Sequence, residues 1–236
     1  MPEPLLYDAS DSPFCMKARM CLATKAIPYR TVTVTMARAR ELRRLNPLGK
    51  VPVLVDGDDV IPDSSAIARW ADARVPDPPL LPADREARAY CMLIEEWADE
   101  ALYFIVAAFK WLNAENRGAA LANTVTELAT GPFRPLVARL LVRKVRRRYA
   151  AWGHTAASLG HLEARMRENL GVLDGLLGDR PYLLGRTPTL ADVATFAQLA
   201  WMRRYAERRL LDEAPAIVAW MERVASAPPI VEALSA

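Results

Sequence analysis

The sequence predicts two units of different class, an α/β unit over residues 1–78 and an all-helical unit over 86–236, joined by a connection at 79–85. Three observations carry this reading. Short β-branched and apolar runs alternate with helical patterns through the first eighty residues and then vanish. Four prolines fall within Pro76–Pro82, which cannot continue a helix and hold an extended connection. Beyond them, apolar residues recur at three- and four-residue steps, as in Leu93, Trp97, Leu102, Ile105 and Phe109.

The elements follow in order. Leu5-Leu6-Tyr7 reads as a first strand. A helix over 13–26 starts with Pro13 at its first position behind a Ser12 cap. Tyr29–Thr35 alternates β-branched residues and reads as a second strand. A basic helical piece, Ala37–Leu45, ends at Asn46-Pro47-Leu48-Gly49. Val51–Val55 and Val60-Ile61 flank Asp56-Gly57-Asp58-Asp59, a hairpin signal, and Ser64–Ala73 closes the unit as a helix. Helical patterns then cover 84–113, 117–130, 135–152, 158–177, 189–208 and 213–226.

Composition narrows the classes. Of 236 residues, 52% are hydrophobic and 25% charged, the balance of an ordinary globular chain. No eighteen-residue apolar run is present, so no membrane span is expected. Met1-Pro2-Glu3-Pro4 leads into no signal-peptide pattern. Cys15, Cys21 and Cys91 cannot build a disulfide framework and read as reduced thiols of a cytoplasmic protein. Two histidines, His154 and His161, make no His-rich metal site, and no metal is expected.

Three short segments carry the chemistry. Ser12-Pro13-Phe14-Cys15 opens a helix whose free N–H groups and partial positive charge stabilise a thiolate. Where a dithiol redox pair would place its exposed cysteine stands Ser12. Its hydroxyl cannot form a disulfide, but it can donate to a substrate thiolate; equally, it can simply cap the helix. Val51-Pro52 precedes a strand and suits a cis bond, which would turn the Val51 backbone toward a peptide ligand; a trans proline at a strand start is the plainer account. Asp63-Ser64 opens another helix, whose N-terminus suits a carboxylate while Asp63 suits an ammonium; a plain cap with an acidic neighbour fits as well. Lys50 can meet a second carboxylate or stand solvated.

Taken together, Ser-Pro-Phe-Cys-x-Lys-x-Arg from Ser12, Asn46–Leu54 and Asp63-Ser64-x-Ala66-Ile67 resemble the glutathione S-transferase superfamily over essentially the whole chain. The serine-type members (theta-, zeta- and tau-like) are nearest in pattern. The resemblance implies a thioredoxin-like domain followed by an all-α helical domain. It implies Ser12 as the residue that activates the glutathione thiol, with Ser10 and Cys15 as alternatives, Cys15 through a mixed disulfide if exposed. It implies glutathione binding by Phe14, Lys50, Val51, Pro52, Asp63 and Ser64. Asp63 departs from the glutamate that many members carry. Phe14, Tyr103, Phe104, Trp111 and Trp201 are candidates for the wall against which an electrophile would sit. The implied function is a glutathione transferase that activates glutathione, its co-substrate, against a small hydrophobic electrophile. Two alternatives are a glutathione-dependent isomerase, dehalogenase or peroxidase, and a non-catalytic interaction or regulatory module. A homodimer is implied, with no nucleic-acid partner.

Two features lie further along. Thr189 and Asp192, within Thr187–Asp192, form a capping arrangement read as structural, worth on the order of 1 kcal/mol. Arg134, Arg139, Arg143, Lys144, Arg146, Arg147 and Arg148 stand in a stretch with no acid between 128 and 162, on a chain of net charge +3. This basic helix could meet a membrane or a nucleic acid. A solvated face pairing with acids elsewhere is the reading preferred, with one arginine facing the cleft as a further option.

Overall fold

The structure is a computed structural model and describes residues 3–128, 134–227 and Ile230. Strand β1 (Leu5–Asp8) runs parallel to β2 (Arg30–Thr33) and antiparallel to β3 (Val53–Asp56), and β4 (Asp59–Pro62) completes the order β2-β1-β3-β4. Leu6 sits opposite Leu54, and Tyr7 opposite Val53. The two-residue period sends these pairs to opposite faces. Helices α1 (Pro13–Thr24) and α3 (Ser64–Arg74) cover the first face with Ala18, Leu22, Ile67 and Ala71. On the other, Leu42 of α2 (Ala39–Leu45) packs with Val34, Tyr7 and Val53. Gly57, at φ +62°, turns the β3–β4 hairpin. This is the expected thioredoxin-like unit.

The helical unit comprises α4 (Arg85–Trp97), α5 (Tyr103–Leu112), α6 (Arg117–Leu128), α7 (Arg134–Ala151), α8 (Leu159–Leu177), α9 (Leu190–Met202), a single turn α10 (Arg209–Asp212) and α11 (Pro215–Ala225). The one helix expected over 84–113 is interrupted by a π-helical turn, Ala98–Leu102. The helix expected over 189–208 stops at Met202, where the N–H groups of Arg204 and Tyr205 reach back only three residues, to Trp201 and Met202. Residues 129 and 130 of another expected helix lie outside the described residues. No helix among the described residues is long and apolar enough to cross a membrane.

Helix α9 is the axis of packing. Every residue from Leu190 to Leu199 is buried, which an apolar surface on all sides requires, and both α1 and α4 rest against it. The proline-rich connection is clamped between the two units. The Asp72 carboxylate accepts the Leu80 N–H at 2.7 Å, the Leu81 N–H at 3.3 Å and the Lys25 ammonium at 2.6 Å. Lys25 also donates to the Pro78 carbonyl, and the Leu80 carbonyl accepts the N–H of Leu190 at 2.8 Å. The Val51–Pro52 bond is cis, the option that a ligand-facing Val51 backbone called for over the plainer trans account, and Asp77–Pro78 is cis as well.

Thr189 and Asp192 form the expected capping box, but Asp192 does more than cap. One oxygen accepts the Thr189 N–H and hydroxyl at 2.9 and 3.0 Å. The other accepts the Leu183 N–H at 2.9 Å and the Trp220 indole N–H at 3.0 Å, all of it buried. Removing this carboxylate strands four buried donors, so the loss exceeds that of a cap. Asp192→Ala is expected to lower stability by at least about 3 kcal/mol in urea denaturation, several times the cap-only expectation.

Candidate functional site

Two cavities open at the junction of the units and share a single lining residue, Phe14. The larger, of about 700 Å³, is lined on the α/β side by Phe14, Lys50, Val51, Pro52, Asp63 and Ser64, and on the helical side by Glu95 and Asp99 of the α4–α5 helix. All six residues implied to bind glutathione therefore stand around one space. The smaller, of about 220 Å³, holds Ser12 together with Asp11, Tyr103, Lys110, Trp111 and Trp201.

Local chemistry sets the walls of the first cavity. The buried Asn46 side chain accepts the Leu48 N–H at 3.1 Å and donates to the Lys50 carbonyl at 3.0 Å, fixing the loop that presents Val51. Gly49, at φ +61°, supplies the left-handed turn that this loop needs. Asp63 also adopts a left-handed conformation, φ +85°, rare outside glycine. Its Oδ1 accepts the N–H groups of Ser65 and Ala66 at 2.8 and 3.2 Å, so that oxygen serves the helix cap. Beside it, Ser64 Oγ is buried without a hydrogen-bond partner among the described residues.

Behind that wall lies a buried ion cluster that the sequence reading missed. Lys17, fully buried on α1, donates to Glu95, to Asp99 at 2.6 Å and to Ser65 Oγ at 2.9 Å; Ser65 in turn donates to Glu95. Burial opposes the lysine's charge, but Asp99 and Glu95 outweigh it and raise its pKa. Two carboxylates share one ammonium, and burial pushes Asp99 up to about 6 despite the pull of Lys17. Asp99 Oδ1 is buried with no hydrogen-bond partner among the described residues. Asp99 and Ser64 both line the first cavity, while these two atoms are themselves closed to solvent. The legible signals were a lone lysine inside an apolar helix and an acid pair at i and i+4, Glu95 and Asp99, which places both on one face.

The second cavity has an aromatic wall and a charged floor. Phe14 and Tyr103 ring centres lie 4.8 Å apart, and Tyr103 stacks on Trp201 at 5.7 Å. Phe104, grouped with them from sequence, packs instead on Tyr149, Trp152 and His154, because the helix phase turns it toward α7. Ser12 Oγ accepts the Cys15 N–H at 3.3 Å as the α1 cap, which leaves its O–H able to donate. Ser10 is exposed and lines neither cavity. Cys15 is fully buried and its thiol is pushed up by burial, so the exposure that a mixed disulfide requires is not met.

The basic helix departs from its preferred reading. Among the described residues, Arg139, Arg143, Lys144, Arg147 and Arg148 pair with no acid. Arg146 donates to the Leu112 carbonyl at 3.5 Å, and Arg148 lies 4.7 Å over the Trp152 ring. None lines either cavity. The Arg134 side chain lies outside the described residues.

Comparison with known proteins agrees with this arrangement. A family model for the glutathione S-transferase N-terminal domain matches residues 6–79, and one for the C-terminal domain matches 135–223. Glutathione S-transferase Z2 of Arabidopsis thaliana is 33% identical over 132 residues, 52% of this chain and 59% of that protein. A stringent starvation protein A homolog of Pasteurella multocida is 36% identical over 132 residues, 55% of this chain and 61% of that one. The chain thus spans under two thirds of each of these two relatives. The beta-etherase LigF from Sphingobium sp. strain SYK-6 superposes with a TM-score of 0.75, covering 99% of both chains at 20% identity, which shows the fold alone.

The buried cluster generates a stability test. Lys17→Met leaves two buried carboxylates facing each other without a cation, and is expected to cost about 3–5 kcal/mol at pH 7 in urea denaturation. Without the pull of Lys17, Asp99 lies above the value of about 6 that it has beside the lysine, so the deficit should shrink as pH falls, starting above 6, as Asp99 takes up a proton and the repulsion ends.

Proposed function

Because the chain belongs to the glutathione S-transferase superfamily, we propose that the larger cavity binds glutathione and the smaller one takes the electrophile that its sulfur attacks. The observation that carries this is the placement of Phe14, Lys50, Val51, Pro52, Asp63 and Ser64 around one 700 Å³ space. Asp99 and Ser64, which line it together, suit a ligand end that bears an ammonium and a carboxylate on one carbon. Asp99 accepts from the ammonium. Ser64 and the α3 N-terminus donate to the carboxylate. Asp63, expected to hold the ammonium alone, gives one oxygen to the cap, and Asp99 takes the larger share of that role. Lys50 meets the carboxylate at the far end of the tripeptide, and Val51 pairs with its backbone.

Glutathione, once bound, supplies a thiol as the nucleophile. Ser12 donates its hydroxyl hydrogen to that sulfur from the start of α1, where the helix's partial positive charge also favours the anion. Together these lower the thiol pKa and raise the thiolate fraction at neutral pH. Phe14 separates the two cavities, so sulfur and electrophile meet at its edge. Leu48, Val60, Tyr90, Met92 and Leu93 are exposed, three of them on the rim of the first cavity. We assign this apolar face to a homodimer contact.

A second reading, a non-catalytic interaction module, is favoured by one observation. The unpaired cations of α7 contribute nothing to either cavity.

Calorimetric titration with reduced glutathione separates the readings. Saturable binding is expected, weakened tenfold or more by Asp99→Asn, while Ser12→Ala retains binding but loses the fall in thiol pKa seen by thiolate absorbance. Absence of binding at millimolar glutathione overturns the transferase reading. The pH dependence has a definite sign. Asp99, facing Lys17, Glu95 and Asp63, sits at about 6 in the free protein and must ionise to hold an ammonium. Affinity should therefore rise from about pH 5 to about pH 7 and then level off, and Asp99→Asn should flatten the rise.

A further inference from the structure

The floor of the second cavity holds a charged group that thiol activation does not use. Lys110, buried on α5, donates to Asp11 Oδ2, the residue directly before Ser12. Asp11 is saturated: Thr124 Oγ1 donates at 2.8 Å, the Trp201 indole N–H at 3.1 Å, and Arg204 approaches to 3.6 Å. Two cations thus meet one carboxylate. Asp11 is the only hydrogen-bond acceptor of Lys110 among the described residues, so two of the three ammonium donors have none. The Trp111 and Trp201 ring centres stand 4.8 and 5.0 Å from the ammonium, and all three residues line the cavity. Burial pulls the lysine's pKa down against the charge of Asp11, which eases release of a proton.

A buried ammonium with spare donors, in an aromatic slot one residue from the thiol-activating serine, is matched by an oxygen that gains charge as the sulfur attacks. We propose that Lys110, anchored by Asp11, is the oxyanion donor of this site and selects electrophiles whose double bond is conjugated to a carbonyl over those that lose a halide. The inference rests on the glutathione reading above. In the step, the carbon–sulfur bond forms at the β-carbon, and the π pair of the carbon–carbon double bond moves onto the carbonyl oxygen. Lys110 donates a proton to that oxygen and regains one from water. Tautomerisation then leaves hydrogen on the α-carbon. The net change is addition of the thiol across the double bond, with no oxidant, reductant or leaving group. A halide substrate develops its charge on the departing halide and gains nothing from a donor placed for oxygen. Asp11 acts through Lys110 as a positioning residue.

The test uses the full chain and two readouts. In the first, wild type, Lys110→Arg, Lys110→Met and the double variant Asp11→Asn/Lys110→Met are assayed with glutathione and either a 2-enal or benzyl chloride. The double variant removes the pair together, so no lone carboxylate is left buried. Loss of one oxyanion donor costs about 10²–10³ in rate. The enal kcat/KM should thus fall at least about thirtyfold more than the benzyl chloride value in both methionine variants, with partial rescue by arginine. The second readout needs no glutathione: bound 4-nitrophenol should ionise at lower pH in wild type than in the methionine variants, followed by absorbance. Equal losses on both electrophiles, no enal turnover with glutathione bound, or a bound phenol insensitive to Lys110 would each overturn the proposal. If calorimetry shows no glutathione binding, the transferase reading itself fails and this inference falls with it.

Discussion

The structure depends on one ammonium placed where water cannot reach it. Lys17 sits on the helix that follows the first strand, yet its partners Glu95 and Asp99 belong to the helical unit, about eighty residues away in sequence. A buried charge costs several kcal/mol unless it is paired and hydrogen-bonded. The α/β and helical units therefore cannot part without exposing or stranding it. That constraint fixes α1 against the α4–α5 helix and aligns the N-terminus of α3 through Ser65. It also sets the electrostatic character of the larger cavity, since two acids sharing one cation leave a carboxylate oxygen with capacity to spare. Stability and the electrostatics of the larger cavity are thus coupled in the same four side chains.

The two cavities have opposite electrostatic character. The first is rich in acid, with Asp63, Glu95, Glu96, Asp99 and Glu100 in its lining; the second meets one carboxylate with two cations beneath an aromatic wall. Phe14 alone belongs to both.

Much of the fold was legible because local signals agreed with one another. The Ser12 cap with Pro13, the alternation of Tyr29–Thr35 and the Asp56-Gly57 turn each point to an element that the structure contains. Half of the candidate site was legible for the same reason: Lys50, Val51, Pro52, Asp63 and Ser64 sit where strand ends and helix starts are written in sequence. The rest was not, because it depends on side chains that meet across units. Nothing around Lys17 in the sequence names its partners, and only the burial of α1 on nearly every side brings Glu95 and Asp99 to it. Asp11 gains its role only when Lys110 and Trp201 arrive from distant helices. Asp192 reads as a cap, and only packing reveals Trp220 and Leu183 as further donors. For Phe104 the direction depends on helix phase, which no residue pattern around it announces.

That phase has its own origin. The π turn at Ala98–Leu102 itself carries Asp99 of the first cavity, follows Glu95 of that cavity and precedes Tyr103, Lys110 and Trp111 of the second. Such a turn is equivalent to one extra residue in an otherwise regular helix, and rotates everything beyond it by about 100°. Without it, Tyr103 and Lys110 would point along a different radius from the one that reaches Phe14 and Asp11. The long helix is therefore two rulers joined at an offset. Its upstream half is indexed to the first cavity and its downstream half to the second. For the gene, this means that a one-codon deletion there would act as a frame error in three dimensions: every downstream residue would survive, read on the wrong face.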